Sequence, residues 1–189
     1  MCAMKSFLWK KLITSTVTQA VALTQSTGAK RVLVLGENTD SLQSALVESV
    51  NQIESIDINT LYSIFSYSQE NPKAPDPTLS VADGIYDLCI VSFSLHQFEP
   101  ETAERIVREC LRIAPKALLI DFALAERNIE LPSQYICSLA EQFFHGGHWD
   151  IYQHYVRVGA LHGIAHRAEA SELANVTVWG GGVRLLLIG

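Results

Sequence analysis

The stretch from Lys30 to Ser41, KRVLVLGENTDS, constrains the fold more than any other part of this chain. The four aliphatic residues from Val32 to Leu35 do not alternate with polar residues, which is typical of a parallel strand buried on both faces. Gly36 ends this run and permits a tight turn. Apolar residues then recur at helical spacing, at Leu42, Ala45, Leu46 and Val50. The stretch therefore predicts the first strand and helix of a βαβ unit, whose helix N-terminus can bind a polar ligand.

The residues that follow complete this unit. Thr39 or Asp40 can cap the first helix, which is predicted from Ser41 to about Asn51. A second strand is predicted from Ile53 to Ile58 and carries Asp57 near its end. A carboxylate there can accept hydrogen bonds from both hydroxyls of a ribose. A solvated strand end is the alternative for Asp57.

The segment from Thr60 to Ala82 gives the weakest pattern. It contains three prolines between Asn71 and Pro77, so that part is expected to be irregular. The residues before the prolines fit either a short helix or a third strand. The segment is shorter than a complete helix–strand–helix passage, and an element here is expected to be reduced or missing.

The second half of the chain alternates buried strands with amphipathic helices. Strands are predicted at Tyr86–Phe93, Lys116–Phe122, Asn175–Trp179 and Val183–Ile188, and helices at Pro100–Ala114, from Leu131, at about 150–158 and around 160–170. The last two strands are separated by three glycines and predict an antiparallel hairpin. The predicted fold is a three-layer αβα Rossmann-like sandwich, with a mostly parallel sheet that ends in this hairpin.

Composition excludes several classes of partner. The chain has 189 residues and a net charge of −6 without a basic run, which argues against nucleic-acid binding. No segment is long and apolar enough to span a membrane. Met1 to Leu23 is too polar for a signal-peptide core, so a cytoplasmic protein is expected. The four cysteines form no C-x-x-C pair, so reduced thiols are expected rather than a disulfide or a metal site.

Residues 1–29 are predicted to form an N-terminal amphipathic helix. Trp9, Ile13, Val17 and Ala20 recur on one of its faces. This stripe is expected to pack on the domain of residues 30–189, and a lid over the ligand site is the alternative.

Two motifs give the chain a resemblance to a known family. The run from Tyr86 to Phe98, YDLCIVSFSLHQF, and the run from Glu109 to Asp121 resemble the fourth strand, the following helix and the fifth strand of class I S-adenosylmethionine-dependent methyltransferases. The likeness is to the small-molecule type that includes the ubiquinone/menaquinone methyltransferases, and it extends over Lys30–Gly189. The first glycine motif is degenerate, since only Gly36 remains of the family's G-x-G-x-G.

This resemblance implies S-adenosylmethionine as the cofactor. The candidate cofactor contacts that the resemblance implies are Gly36, Glu37 and Asn38 in the glycine loop, Asp57 and Ile58 at the second strand, and Asp76 for the adenine amino group. Ser92 and Ser94 lie at the end of the fourth strand, where ligands gather in open α/β sheets, and are expected to contact the cofactor or the substrate. For Gly36, a plain strand-end turn is an equal alternative. Asp121 is expected either to face the cleft or to cap a loop.

The sequence does not settle the catalytic group. His148 and Tyr155 are candidates to orient the acceptor or take its proton. His96 is expected to satisfy backbone groups under the next helix rather than to act as a base. The histidines at 145, 148, 154, 162 and 166 lack a cysteine or a carboxylate cluster to complete a ligand set, so no metal site is predicted.

The leading hypothesis is in-line methyl transfer from S-adenosylmethionine to a small-molecule acceptor, which depends on alignment and exclusion of water more than on a strong catalytic group. The alternative is a catalytically inactive methyltransferase fold that serves in binding or assembly. An NAD-type enzyme would share Asp57 but would need G-x-G-x-x-G, which is missing. The acceptor and the oligomeric state are left open, with a homodimer as one option.

Overall fold

A computed structural model of the protein describes residues 2–70, 77–125 and 149–189, with side chains described from residue 10 onward except at 66–70. Six strands form one sheet, and helices cover both of its faces. The strands are β1 (Arg31–Gly36), β2 (Gln52–Asp57), β3 (Leu88–Ser92), β4 (Ala117–Phe122), β5 (Glu172–Val178) and β6 (Val183–Ile188). The helices are α1 (Cys2–Thr27), α2 (Thr39–Leu46), α3 (Ile58–Glu70), α4 (Pro100–Ile113), α5 (Trp149–Arg157) and α6 (Ala160–Arg167).

The strand order is β2-β1-β3-β4-β6-β5. The first four strands are parallel, and β6 pairs antiparallel with both β4 and β5. Helices α1 and α2 pack together on one face, whereas α3, α4 and α6 pack as a layer on the other. The predicted three-layer sandwich and its C-terminal antiparallel hairpin are therefore confirmed.

The buried strands carry the core because their side chains are apolar on both faces. Every residue of β3, β4 and β6 is buried, and so is β1 after its first residue. Asp87, in the aromatic-Asp-Leu start of the Tyr86 motif, has a structural role. The carboxylate of Asp87 accepts hydrogen bonds from the backbone N–H groups of Lys30 and Arg31, at 2.9 and 2.8 Å. This contact fixes the entry of β1 against the strand beside it.

Helix α1 packs against the sheet with a buried face that is rotated slightly from the predicted apolar stripe and shares Ala20 with it. Leu12, Thr16, Ala20 and Thr24 are buried. Ile13 and Val17, which were predicted to form the stripe with Trp9 and Ala20, lie half-buried on its flank, and the side chain of Trp9 lies outside the described residues. Helix α1 has 26 residues and is about 39 Å long at 1.5 Å per residue, so it is about twice as long as a six-residue strand.

Several predicted boundaries were wrong at the ends of elements. Helix α2 ends at Leu46 rather than near Asn51, because the chain must return to the start of β1. There the backbone N–H groups of Asn51 and Gln52 both donate to the carbonyl of Lys30. Strand β5 begins at Glu172 rather than Asn175. The prediction missed its first residues because they are exposed and lack an apolar pattern. The helix predicted from Leu131 lies outside the described residues.

The weak segment from Thr60 to Ala82 falls within helix α3 up to Glu70, and no strand occurs in residues 77–87. The chain around Leu79 is instead held to α4 by side chains. The Glu109 carboxylate accepts a hydrogen bond from the backbone N–H of Leu79 at 2.6 Å. Arg112 donates to that carboxylate and to the carbonyl of Val81. Within the described part of the chain, β2 therefore remains the outermost strand on this side of the sheet.

Candidate functional site

The candidate site lies where β1 and β3 lie side by side. From β1 the chain passes to β2 on one side, and later to β3 on the other side. In open α/β sheets, ligands bind beyond the carboxyl ends of the strands at such a switch point. Gly36 is in register there with Asp57 on one neighbouring strand and with Ser92 on the other. The structure thus brings three of the predicted site residues to one edge of the sheet.

Gly36 is required by the packing of the chain itself. Its φ is +101°, a conformation that residues with a side chain rarely adopt. A Cβ atom at this position would lie less than 3.0 Å from both the Ser94 hydroxyl and the Ser92 carbonyl. The backbone N–H of Glu37 also donates to the Ser92 carbonyl, at 2.8 Å. The loop after β3 therefore crosses directly over Gly36, and a contact between Gly36 and cofactor stays a prediction.

Asn38 occupies the position before α2 in a left-handed conformation, with φ 56° and ψ 25°. The predicted capping by Thr39 or Asp40 was wrong, because Asn38 is the N-cap and Thr39 already lies in the helix. The Asn38 side chain makes no capping hydrogen bond. Asparagine tolerates this backbone region better than most residues, but less well than glycine.

A hydrogen bond joins the ends of β1 and β3 across the switch point. The side-chain amide of Gln97 donates to the Glu37 carboxylate at 2.7 Å and to the carbonyl of Phe93 at 3.2 Å. The Tyr62 hydroxyl, on α3, donates to the Gln97 carbonyl at 2.8 Å. Burial and the nearby Glu37 charge raise the pKa of Tyr62 to about 12. We call the Glu37–Gln97 hydrogen bond the crevice contact.

Asp57 serves as the cap of α3 and remains open to solvent. Its carboxylate accepts hydrogen bonds from the backbone N–H and the hydroxyl of Thr60, both at 3.0 Å. These bonds, the backbone one first, hold the pKa of Asp57 below its usual value. Ile58, which follows it, is the first residue of α3. An exposed, ionised carboxylate therefore stands at the end of β2.

The two serines after β3 are buried. Ser92 ends the strand, with 1% of its surface exposed, and Ser94 is fully buried. Within the described ranges, the Ser94 hydroxyl has no hydrogen-bond partner. A buried hydroxyl without a partner costs about 1–3 kcal/mol. Asp76, the candidate for the adenine contact, lies outside the described residues.

His96 forms a buried pair with Asp121, which sequence reasoning missed. The Nδ1 atom of His96 lies 2.6 Å from the Asp121 carboxylate, which also accepts the backbone N–H of His96 at 3.1 Å. Both side chains are at most 2% exposed. The expectation that the ring serves backbone groups was wrong for Nδ1. The Asp121 carboxylate also accepts the backbone N–H of Phe122, so it binds both the ring and the backbone after β4.

Aromatic rings surround this pair. The ring of Phe122 lies 4.9 Å from that of His96, and the rings of Tyr152 and Tyr155 lie at 6.2 and 6.3 Å. The Tyr155 hydroxyl donates to the Phe122 carbonyl at 2.9 Å. Burial, with the Asp121 charge next in size, raises the pKa of Tyr155 well above its usual value. This geometry gives Tyr155 a structural role, and His148 lies outside the described residues.

Arg184 lies opposite Asp121 in the β4–β6 pair and is 2% exposed. On α6, His162 contacts both the Arg184 guanidinium and the Glu172 carboxylate. Sequence reasoning had considered His162 only as a metal ligand. Among the described residues, no group of three or more potential metal ligands occurs. No helix in the described ranges is long and apolar enough to cross a membrane.

Helix α1 covers one side of the switch point. Ile13 and Val17 line a narrow gap together with Asn38 and Phe93. This end of α1 therefore lies against the loops that carry the candidate site. Its role as a lid remains a prediction.

No family model and no curated protein matches the chain. Similar solved structures do exist. The magnesium protoporphyrin IX methyltransferase of Synechocystis PCC 6803, solved with bound SAH, aligns over 92% of this chain and 81% of that one, with a TM-score of 0.54 and 17% identity. An O-methyltransferase family protein of Burkholderia thailandensis aligns over 94% and 55%, with a TM-score of 0.56 and 13% identity.

A mitomycin 7-O-methyltransferase aligns over 92% of this chain and 52% of that one, with a TM-score of 0.55 and 16% identity. This chain has the class I methyltransferase fold. It spans about half the length of the mitomycin and Burkholderia proteins. In this chain, the crevice contact, Asp57 and the His96–Asp121 pair all lie at the carboxyl edge of the parallel strands.

Proposed function

We propose that this protein is an S-adenosylmethionine-dependent methyltransferase that acts on a small-molecule acceptor. The observation that carries the proposal is the pairing of Gly36 with Asp57 at the switch point of a class I methyltransferase fold. The chain turns sharply at Gly36, and the exposed carboxylate stands beside that turn. Ligands of open α/β sheets bind at such a place.

Asp57 fits the ribose of this cofactor. Its carboxylate is exposed, and each of its oxygens accepts one bond from Thr60. Each oxygen has a second lone-pair site, so the group can cap α3 and accept two ribose hydroxyls together. Asp57 would therefore hold the ribose end of the cofactor.

The residues beside Gly36 fit the methionine end only after a local rearrangement. The space over Gly36 is filled by the loop that carries Ser92 and Ser94. The crevice contact joins the two strand ends over the same region. Since neither contact involves a covalent bond, both can separate, and Ser94 would then offer its hydroxyl to the ligand.

The His96–Asp121 pair would handle the acceptor's proton. The bound cofactor would supply a methyl group on a sulfonium, which an acceptor attacks in line. In the tautomer with its proton on Nδ1, His96 would donate to Asp121 and carry its lone pair on Nε2. Because His96 is at most 2% exposed, this step requires the loop after β3 to open. His96 Nε2 would then take a proton from an acceptor hydroxyl or amine, and Asp121 would stabilise the charged ring. The aromatic rings around the pair exclude water from it.

The crevice contact favours a second function, a non-catalytic binding or assembly module. In that case Glu37 and Gln97 fill the crevice permanently, and Gly36 serves only the crossing of the two loops. Asp57 then serves only as the cap of α3. The two functions differ in whether the folded protein binds the cofactor.

Titration calorimetry with S-adenosylmethionine, S-adenosylhomocysteine and NAD tests the proposal. We expect micromolar binding of the sulfur ligands and none of NAD. Asp57→Ala should abolish binding. Thr60→Val is the matched control, because it weakens the cap of α3 and leaves the carboxylate in place. If the folded wild-type protein binds neither sulfur ligand, the binding module is the better account.

A further inference from the structure

The loops that carry the crevice contact hold two residues in strained backbone conformations. Asn38 has φ 56° and Phe93 has φ 44°. A positive φ is uncommon outside glycine, and for a bulky residue such as Phe93 it is an outlier. Such outliers persist only where the surroundings impose them, and they cluster at ligand sites and switch regions. Both residues lie within four positions of the crevice contact in sequence.

A buried polar atom lies against Gly36, the residue before Glu37. The Ser94 hydroxyl points at Gly36, is buried and has no hydrogen-bond partner among the described residues. Buried hydroxyls normally have a partner, and an unpaired one calls for an explanation such as a ligand. Because a Cβ on Gly36 would collide with it, the hydroxyl already faces the backbone where a ligand would approach.

The crevice contact joins two short connecting segments of the chain. Glu37 is half-buried and lies in a loop, and Gln97 ends a single 3₁₀ turn, Leu95–Gln97. Neither residue belongs to a long element that would have to unfold. Water can replace the hydrogen bond once the loops separate, whereas the Tyr62 hydroxyl keeps its own bond to the Gln97 backbone.

We propose that the described crevice is the closed state of a gated site, and that breaking the Glu37–Gln97 hydrogen bond opens it and presents the Ser94 hydroxyl to the ligand. The proposal rests on the proposed function, because the ligand is taken to be S-adenosylmethionine. It adds that the closed state is reversible and lowers the apparent affinity. When only a fraction of the protein is in the open state, the apparent affinity equals the affinity of the open state multiplied by that fraction.

The test compares Gln97→Ala, which removes the donor, with wild type. Tyr62→Phe is the matched control, since it removes a neighbouring hydrogen bond and leaves the crevice contact intact. Gln97→Leu also removes the donor but keeps more of the side-chain volume, and it serves if Gln97→Ala does not fold. Each protein is titrated with S-adenosylmethionine, and amide hydrogen exchange is followed in the peptides that contain residues 36–39 and 93–98.

We expect Gln97→Ala to exchange faster in both peptides and to bind S-adenosylmethionine about 10-fold more tightly, the worth of one hydrogen bond to a charged group. Tyr62→Phe should match wild type in affinity. If the wild type binds and Gln97→Ala binds equally or more weakly, the gate is overturned while the proposed function stands. If neither protein binds, the proposed function fails and the gate fails with it.

Ser94→Ala separates a ligand contact from a structural hydroxyl. Removing an unpaired buried hydroxyl should leave the melting temperature unchanged or raise it. The same change should weaken S-adenosylmethionine binding several-fold. A lower melting temperature with unchanged binding would mean that the hydroxyl serves the fold, and it would overturn this part of the proposal.

Discussion

Gly36→Ala tests whether the loop after β3 crosses over the end of β1. Two costs add at this position. A side chain at φ +101° costs about 1–3 kcal/mol. Forcing a methyl group against the Ser92 carbonyl and the Ser94 hydroxyl costs about 1–3 kcal/mol more. The free energy of unfolding should therefore fall by about 2–6 kcal/mol.

Gly28→Ala is the matched control because it incurs only the first kind of cost. Gly28 also has a positive φ, +71°, but a Cβ there would meet no atom within 4 Å. Its loss should be about 1–2 kcal/mol. In a chain of 189 residues, each kcal/mol shifts the melting temperature by about 2–4 °C. Gly36→Ala should therefore melt well below Gly28→Ala.

Urea and thermal unfolding of the two variants measure this difference. Adding Ser94→Gly to Gly36→Ala should recover only part of the loss, because the Ser92 carbonyl remains in the way. Equal destabilisation by Gly36→Ala and Gly28→Ala would refute the reasoning. It would show that the loop does not approach Gly36, so that the space over the glycine is open to a ligand without any gate.

Three further changes test other parts of the structure. Asn38→Gly should raise the free energy of unfolding by about 0.5 kcal/mol in urea titrations, because glycine adopts the left-handed conformation without strain. Asp87→Asn should lower the melting temperature at neutral pH, and the difference from wild type should shrink as the pH falls below about 4. The reason is that the backbone N–H of Lys30, the largest cause, lowers the pKa of Asp87 in the folded state, so its contribution is present above the unfolded pKa and lost in acid. Glu109→Ala should cost about 2–3 kcal/mol in thermal unfolding, because it leaves the buried N–H of Leu79 without its acceptor.

The strands could be predicted from the sequence because buried parallel strands have a distinctive composition. Residues 32–35, 88–92 and 117–120 are apolar without alternation, apart from Ser92, and each became a central strand. Edges were harder. Strand β5 begins with two exposed residues, Glu172 and Leu173, so the apolar pattern that indicates a buried strand is missing at its start. The end of α2 depends on the hydrogen bonds from the backbone N–H groups of Asn51 and Gln52 to the Lys30 carbonyl, which join segments distant in sequence.

The positions of Gly36 and Asp57 in the fold were predictable, but the contacts of the loops around them were not. Gly36 and Asp57 could be placed because each is the last residue of a strand. The crevice contact joins residues 60 positions apart, and the His96–Asp121 pair joins residues 25 positions apart. Each pair forms only because two parallel strands bring their following loops together. The sequence did carry one usable signal, since His96 lies three residues after one predicted strand and Asp121 lies near the end of the next.

The backbone of the first loop bears on the choice between an enzyme and an inert scaffold. Gly36 and Asn38 both have positive φ, two positions apart, although only the first is glycine. Within the described contacts, the strained Asn38 makes no capping bond that would repay its conformation. Positive φ also occurs at Ala160, Glu169 and Trp179, outside this loop. The conformation of Asn38 is therefore consistent with both the gated enzyme and the filled scaffold, and titration with S-adenosylmethionine separates the two.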